Sequence, residues 1–321
     1  MNLNFKKKSF FFRLKSTLEN SRTTYLDKTG WIIKLKNNIK GVGFGEVSPL
    51  LSKDFKKCKE ELNQIPEYIN LINLSEQIRN FHPCIQSGIN SALAEINRTI
   101  VFKKKYFFDE IDQTAILINP NNVIEELKKI QKNQKSNSKS FTIKWKVAIN
   151  DNAEEEKTLK EILSQLKSNI KLRIDANGSW GREIANRWVD ILKDNQNLDW
   201  LEQPLSIDDI DGLKELNKKI PIALDESLLK YPNLINEWDG WQIRRPSQEE
   251  NPINLLKDLE NKKGFISLST SFETGIGRRW LYHLSSLQLI GPTPKVPGLA
   301  MEKYPKSYLF SNEPQKIWDQ L

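Results

Sequence analysis

Three acidic side chains, Asp175, Glu202 and Asp225, each close a short apolar run: Leu172-Arg173-Ile174-Asp175, Trp200-Leu201-Glu202 and Ala223-Leu224-Asp225. If the runs are neighbouring strands, the carboxylates meet at one edge, where they repel one another and take up protons unless a cation neutralises them. Hard oxygen ligands of this kind suit Mg²⁺ better than zinc. The bland alternative is three separate solvated strand ends, against which the regular spacing weighs. A fourth run, Ile143-Lys144-Trp145-Lys146-Val147, puts two ammonium groups on one face, because residues i and i+2 of a strand point the same way. Facing inward, like charge and desolvation depress the pKa of such a lysine and make it a base. Beside a divalent ion holding a carboxylate substrate, it can take an α-proton while the ion offsets the charge that develops. Facing outward on an edge strand, with Trp145 in the core, the pair is only solvated; the residues alone leave both readings open.

These runs need a scaffold that brings their ends together. From about residue 113, β-branched runs alternate with amphipathic stretches, so strands are expected at 115–119, 142–148, 171–175, 200–202, 220–225, 241–245 and 265–271. The end residues Lys146, Asp175, Glu202, Asp225 and Arg245 lie 29, 27, 23 and 20 residues apart, close to one βα unit each. Polar residues at successive strand C-termini are what a TIM-type barrel requires, since its active site is assembled at that face. A doubly wound sheet also alternates strand and helix, but has no need of a carboxylate on three consecutive strands. Before the barrel, residues 10–49 read as two antiparallel strands about a polar turn. Residues 54–100 carry apolar positions at helical spacing (Leu62, Ile65, Ile69 and Ile72, later Ile89, Leu93 and Ile96), which makes an α+β first domain.

Composition narrows the function classes. The 321 residues are 38% hydrophobic and 28% charged, with 9 Trp and 14 Phe, as in a globular protein. No apolar run approaches the ~20 residues of a membrane span. Two cysteines (Cys58, Cys84) and two histidines (His82, His283) exclude a disulfide scaffold, a Cys-rich zinc or iron–sulfur site and a His-rich metal centre. His82, before Pro83, reads as a helix cap. A net charge of +8 raises nucleic-acid binding. Lysine is spread along the whole chain, however, and the longest basic runs are residues 6–8 and 103–105, so no nucleic-acid partner is expected. The basic opening imitates a transit peptide, but its Phe10-Phe11-Phe12 core is too short for a secretory signal. A first β-strand and a cytoplasmic or equivalent reducing location are expected instead.

Together, Lys144-Trp145-Lys146, Leu172-Arg173-Ile174-Asp175-Ala176-Asn177, Trp200-Leu201-Glu202-Gln203-Pro204 and Ala223-Leu224-Asp225-Glu226-Ser227 resemble the enolase superfamily, muconate-lactonizing-enzyme subgroup, in order, spacing and context. That superfamily combines a Lys or His base with one or two Mg²⁺. Four further stretches, beginning at Gly45, Gly88, Ser269 and Pro292, are similar to the o-succinylbenzoate synthase family within the subgroup. The resemblance implies an α/β fold: a (β/α)7β TIM-type barrel over residues 114–300, an N-terminal α+β capping domain over 1–113, and a tail over 301–321 packing back on the cap. It implies a lyase that dehydrates 2-succinyl-6-hydroxy-2,4-cyclohexadiene-1-carboxylate to o-succinylbenzoate, on the way to menaquinone or phylloquinone. The implied cofactor is Mg²⁺ on Asp175, Glu202 and Asp225, the base Lys146 with Lys144 beside it, and the partner a small-molecule carboxylate substrate; no protein partner is inferred. The competing activity is that of an N-acyl amino acid racemase or dipeptide epimerase.

Similar enzymes carry a second lysine before a proline at the end of the sixth strand. Here Trp241-Gln242-Ile243-Arg244-Arg245-Pro246 puts Arg245 in that place, or Arg244 if the strand is shifted by one. Arginine stays protonated and cannot be a base, but it can hold positive charge against the substrate ring. Arg173 and Asn177, in phase with Asp175, and Ser269 and Ser271 on the seventh strand are candidate substrate contacts. Gly275-Ile276-Gly277 reads equally as a helix start that receives a carboxylate and as a tight turn.

Overall fold

The computed structural model describes residues 2–102, 114–133 and 140–321. The domain boundary expected at residue 113 and the basic run at 103–105 lie outside the described residues. The cap is built on an antiparallel sheet of β1 (Asn2–Glu19), β2 (Thr24–Asn37), β3 (Gly41–Val47) and β4 (Tyr68–Asn70), in the order β3-β2-β1-β4. The sequence pattern predicts two strands here. The third arises because the Gly-rich run at 41–47 pairs with β2, and its glycines let α3 lie against it: a Cβ at Gly43 or Gly45 would fall 2.0 and 1.7 Å from the carbonyl oxygens of Ala92 and Gly88. Ile69, expected on a helix, belongs to β4 and pairs with Leu3; a three-residue strand between helices is too short to interrupt helical spacing. Helices α1 (Ser52–Asn63), α2 (Leu71–Ile78) and α3 (Pro83–Ile96) cover one face of the sheet over a core of Leu3, Phe5, Ile33, Leu35, Leu62 and Ile89. His82 caps α3 as expected, its Nδ1 accepting from the Cys84 amide at 3.3 Å.

Seven parallel strands follow in sequential order: β5 (Ile116–Ile118), β6 (Phe141–Lys146), β7 (Ile170–Asp175), β8 (Leu198–Glu202), β9 (Ile222–Leu224), β10 (Trp241–Arg244) and β11 (Ile266–Leu268). Between and after them run α4 (Val123–Asn133), α5 (Asn152–Gln165), α6 (Arg182–Leu192), α7 (Ile210–Asn217), α8 (Glu226–Lys230), α9 (Leu234–Glu237), α10 (Pro252–Glu260) and α11 (Gly275–Leu289). The sheet curls until its edges are bridged by residues 297–298. Ala115 N donates to Pro297 O at 3.0 Å, and Gly298 N to Leu268 O at 2.8 Å. This is the TIM-type fold the spacing predicts. Strand parity sorts its two faces: Ile143, Trp145, Ile174 and Leu201 pack outward against the helix layer, with Trp145 beside Trp188 at 5.7 Å, which leaves Lys144 and Lys146 facing inward. No helix among the described residues is long and apolar enough to cross a membrane.

The last segment ends in α12 (Pro314–Gln320). Tyr304, Leu309, Ile317 and Trp318 from this segment bury against Phe10, Phe12, Leu14 and Phe44 on the second face of the cap sheet, together with Phe272 and Ile276 of the barrel. Cap, tail and barrel thus share one apolar cluster close to the barrel mouth.

Candidate active site

Register builds the site. Lys146, Asp175 and Glu202 are lateral partners on β6, β7 and β8, with Ala223 of β9 next in the row and Asp225 just past the end of that strand. Lys144 sits one inward position lower, level with Arg173 and Trp200. Its ammonium reaches up between two carboxylates, 2.8 Å from Asp175 Oδ2 and 2.6 Å from Glu202 Oε1. Lys146 Nζ donates to Asp175 Oδ2 at 2.9 Å and to Asn177 Oδ1 at 3.1 Å. Across the mouth, Arg245 forks onto Asp225 at 2.8 and 2.5 Å and also donates to the Thr270 carbonyl.

The charges are buried and interdependent. Burial pulls the Lys144 pKa down, but Asp175 and Glu202 more than reverse this and hold it above the usual lysine value. That corrects the expectation of a depressed pKa: the sequence shows the neighbouring like charge and not the two acids supplied by adjacent strands. Burial raises the Asp175 carboxyl, yet the two lysines outweigh it and leave the group well below the ordinary range. Glu202 is pushed up to about 7 by burial and by the Asp175 charge, and Glu226 to about 7 by burial and by Asp225. Arg245 is held above its ordinary value by Asp225, against the effect of burial, so it stays charged.

The cavity above this row is lined by Lys144, Lys146, Asn177, Asp225, Glu226 and Arg245 from the barrel, by Ser269 and Thr270 beyond β11, and by Leu18, Asn20, Tyr25 and Leu50 from the cap. The cap loop is tied down over the loop after β7: Ser21 Oγ donates to Ala176 O at 3.2 Å and Arg22 to Gly178 O at 2.7 Å. Asn177 (φ 47°), Gln203 (φ 38°) and Phe272 (φ 62°) all hold left-handed backbone just past barrel strands, a strain that clusters at functional sites. Gln203 is fully buried, and its Oε1 accepts from the amides of Asp225 and Ser227 at 3.2 and 3.1 Å, which fixes the turn that carries Asp225.

Not every expected contact is in the cavity. Arg173 is held inside the barrel by Asp199 (3.1 Å) with its guanidinium 4.0 Å over the Trp200 ring, and it does not line the cavity. Ser271 lies beyond the end of β11, where its amide donates to Glu273; its hydroxyl is buried without a hydrogen-bond partner and the residue does not line the cavity. Arg244 faces the opposite way from Arg245 and pairs with Glu249 and Asp258; of the two, Arg245 lines the cavity. The α11 start does receive a carboxylate, but an internal one. Glu46 of the cap accepts from Thr274 N at 3.0 Å, Thr274 Oγ1 at 2.6 Å and Gly277 N at 2.9 Å. Glu226, Thr270, Asn20 and Tyr25 are cavity residues that sequence reasoning missed.

Among the described residues no group of three or more Asp, Glu, His or Cys side chains is placed to hold a metal ion; Asp175 and Glu202 are paired with Lys144, and Asp225 with Arg245. The donor types still suit a hard cation: Asp175 and Glu202 end adjacent strands, Asp225 follows the next, and burial and the Asp175 charge disfavour an ionised Glu202.

Residues 127–234 match the family described as enolase C-terminal domain-like. The o-succinylbenzoate synthase of Thermosynechococcus vestitus is 27% identical over 290 residues, covering 84% of this chain and 85% of that protein. An L-Ala-D/L-Glu epimerase from Francisella tularensis subsp. novicida is 24% identical over 64% of this chain and 62% of its own length. The crystal structure of the o-succinylbenzoate synthase from Thermosynechococcus elongatus BP-1, complexed with Mg in the active site, superposes with a TM-score of 0.76 at 22% identity, over 99% of this chain and 100% of that one. Residues 127–234 thus match the enolase C-terminal domain-like family, and over most of its length the chain is similar to o-succinylbenzoate synthase in sequence and in fold.

Proposed function

We propose that the enzyme is a lyase that dehydrates 2-succinyl-6-hydroxy-2,4-cyclohexadiene-1-carboxylate to o-succinylbenzoate, a precursor of menaquinone or phylloquinone. The observation that carries this reading is the chemical asymmetry of the cavity, with a lysine pair on β6 and an arginine at the end of β10. An epimerase needs a base on each face of the α-carbon. Arg245, permanently charged and forked onto Asp225, is not one. Dehydration needs a single base. Lys146 takes the α-proton, the C–O bond to the ring hydroxyl breaks as the ring becomes aromatic, and the same ammonium returns the proton to the departing hydroxyl as water. Lys144 contacts the substrate carboxylate, and Arg245 keeps positive charge against the ring. Asp175, Glu202 and Asp225 would hold Mg²⁺. When bound, it supplies positive charge opposite the carboxylate on which the reaction builds negative charge.

The test is turnover of this substrate by the purified full chain, with Mg²⁺ and with excess EDTA. Activity is expected only with Mg²⁺, and Lys146→Ala is expected to lose the ~10²–10⁴-fold typical of an acid–base residue. Full turnover in EDTA, a Lys146→Ala enzyme above about a tenth of wild type, or α-deuteration of both enantiomers of an N-succinyl amino acid in D₂O would each overturn the proposal.

A further inference from the structure

We infer that Glu226 is a positioning residue for Lys146, acting through the Asn177 amide. The inference rests on the assignment of Lys146 as the base. Asn177 Oδ1 accepts from Lys146 Nζ at 3.1 Å, and Asn177 Nδ2 donates to Glu226 Oε1 at 2.9 Å. Both ends of the amide are therefore committed. An ammonium can only donate and a carboxylate can only accept, so a flipped amide would set N–H against N–H and oxygen against oxygen. Lys146 and Glu226 oppose that flip together, and without Glu226 only the ammonium does.

The consequence reaches the reacting atom. Lys146 has three donor directions, of which Asp175 Oδ2 takes one at 2.9 Å and Asn177 Oδ1 a second. The third is left for the cavity that Lys146 lines. With the amide free to turn, the second anchor is lost for part of the time and the ammonium swings about its contact with Asp175. A displacement of about 1 Å at a reacting group can cost ~10²-fold in rate. Stability does not account for Glu226. Its Oε2 is buried without any hydrogen-bond partner, a condition that costs free energy in the folded state. The side chain also lines the cavity, at the start of α8, one residue past Asp225.

The experiment is a double-mutant cycle on the full-length enzyme with Mg²⁺ and the hydroxycyclohexadiene carboxylate. Glu226→Ala should lower kcat by about 10- to 100-fold and leave KM within about twofold, with the melting temperature recorded as a check on folding. Glu226→Gln, which still offers Asn177 an acceptor, should recover most of the loss. Asn177→Ala and the double variant Asn177→Ala/Glu226→Ala should be equally slow, since removing the amide removes the path. Should Glu226→Ala not fold, Glu226→Met, of similar length and without an acceptor, carries the same test. Additive losses in the double variant, a loss confined to KM, no rescue by Gln, or an unimpaired Glu226→Ala would overturn the inference. Lys146→Ala separates the two failures. If it retains turnover, the base is misassigned; if it is inactive while Glu226→Ala is unimpaired, only the relay is wrong.

Discussion

Replacing Arg245 by methionine separates the stability of the site from its chemistry. The Arg245 guanidinium makes two hydrogen bonds to Asp225, at 2.8 and 2.5 Å, and the Asp225 side chain is only 3% exposed. Methionine fills similar volume but leaves a buried carboxylate without its partner, a change that costs about 3–5 kcal/mol. At ~2.1 cal/mol/K per residue, the unfolding entropy of this 321-residue chain is near 0.7 kcal/mol/K, so the melting temperature should fall by about 4–7 °C in EDTA. Arg245→Lys keeps the charge and loses the fork, and should fall between the two. If Asp225 also holds Mg²⁺, the cation replaces the lost guanidinium, and saturating Mg²⁺ should recover most of the deficit of the Met variant. In turnover, loss of a desolvated cation beside the ring costs about 0.5–2 kcal/mol, or up to a few tens-fold at 1.4 kcal/mol per decade. Arg245→Lys should therefore retain dehydration while Arg245→Met loses it in part. Differential scanning calorimetry in EDTA and in Mg²⁺ reads the first effect, and steady-state kinetics the second. A Met variant that melts within 1 °C of wild type in EDTA would refute the pairing argument. A deficit of equal size with and without Mg²⁺ would refute the shared role of Asp225.

Three further expectations follow from named contacts. Glu202→Gln removes a charged ligand from the proposed metal set and should weaken Mg²⁺ binding by 10- to 100-fold, in line with the effect of altering a metal site's support, as read by isothermal titration calorimetry; unchanged affinity would remove Glu202 from the set. Glu46, pushed up to about 7 by burial, contributes stability that is fully present below the ordinary carboxyl pKa near 4.5 and is lost as pH rises through about 7. Glu46→Gln should accordingly flatten the stability profile between those limits, by no more than about 3 kcal/mol, and an unaltered slope in denaturant titrations would count against it. Gly275→Ala would place a Cβ 2.0 Å from the Ser311 carbonyl oxygen, backbone against backbone, and should cost at least about 1–3 kcal/mol and loosen α12 towards proteolysis; a wild-type digestion pattern would show that the tail does not need that close approach.

The inner row of the site was legible because strand parity and strand adjacency are both written in the sequence. Lys146, Asp175 and Glu202 each end an apolar run, the runs recur at βα length, and parallel pairing sets the three side by side. Parity also identifies a face without telling depth. Arg173 is in phase with Asp175, yet one step further down the barrel it meets Asp199 and Trp200 in place of the cavity. The Lys144 pKa departs from the sequence expectation for a related reason: a run of sequence shows the neighbour at i+2, while the carboxylates that dominate come from β7 and β8.

Past the last strand residue, parity ceases to apply, and there the remaining differences concentrate. By parity Ser271 continues the face of Ser269, but β11 stops at Leu268 and the chain turns through Phe272 at φ 62°. Glu226 fails in the opposite sense. As the residue after Asp225 it should point away if the strand continued, but β9 ends at Leu224, α8 begins at Glu226, and the change of backbone swings its carboxylate round to Asn177. Asn177 itself reaches Lys146 from a left-handed position. In a barrel whose chemistry sits on strand ends, the residue beside each metal-ligand candidate must be placed by the turn that follows it, and that turn is held by groups such as Gln203 from the neighbouring strand. The first row of this active site is thus set by local periodicity, and the second by contacts between successive βα units.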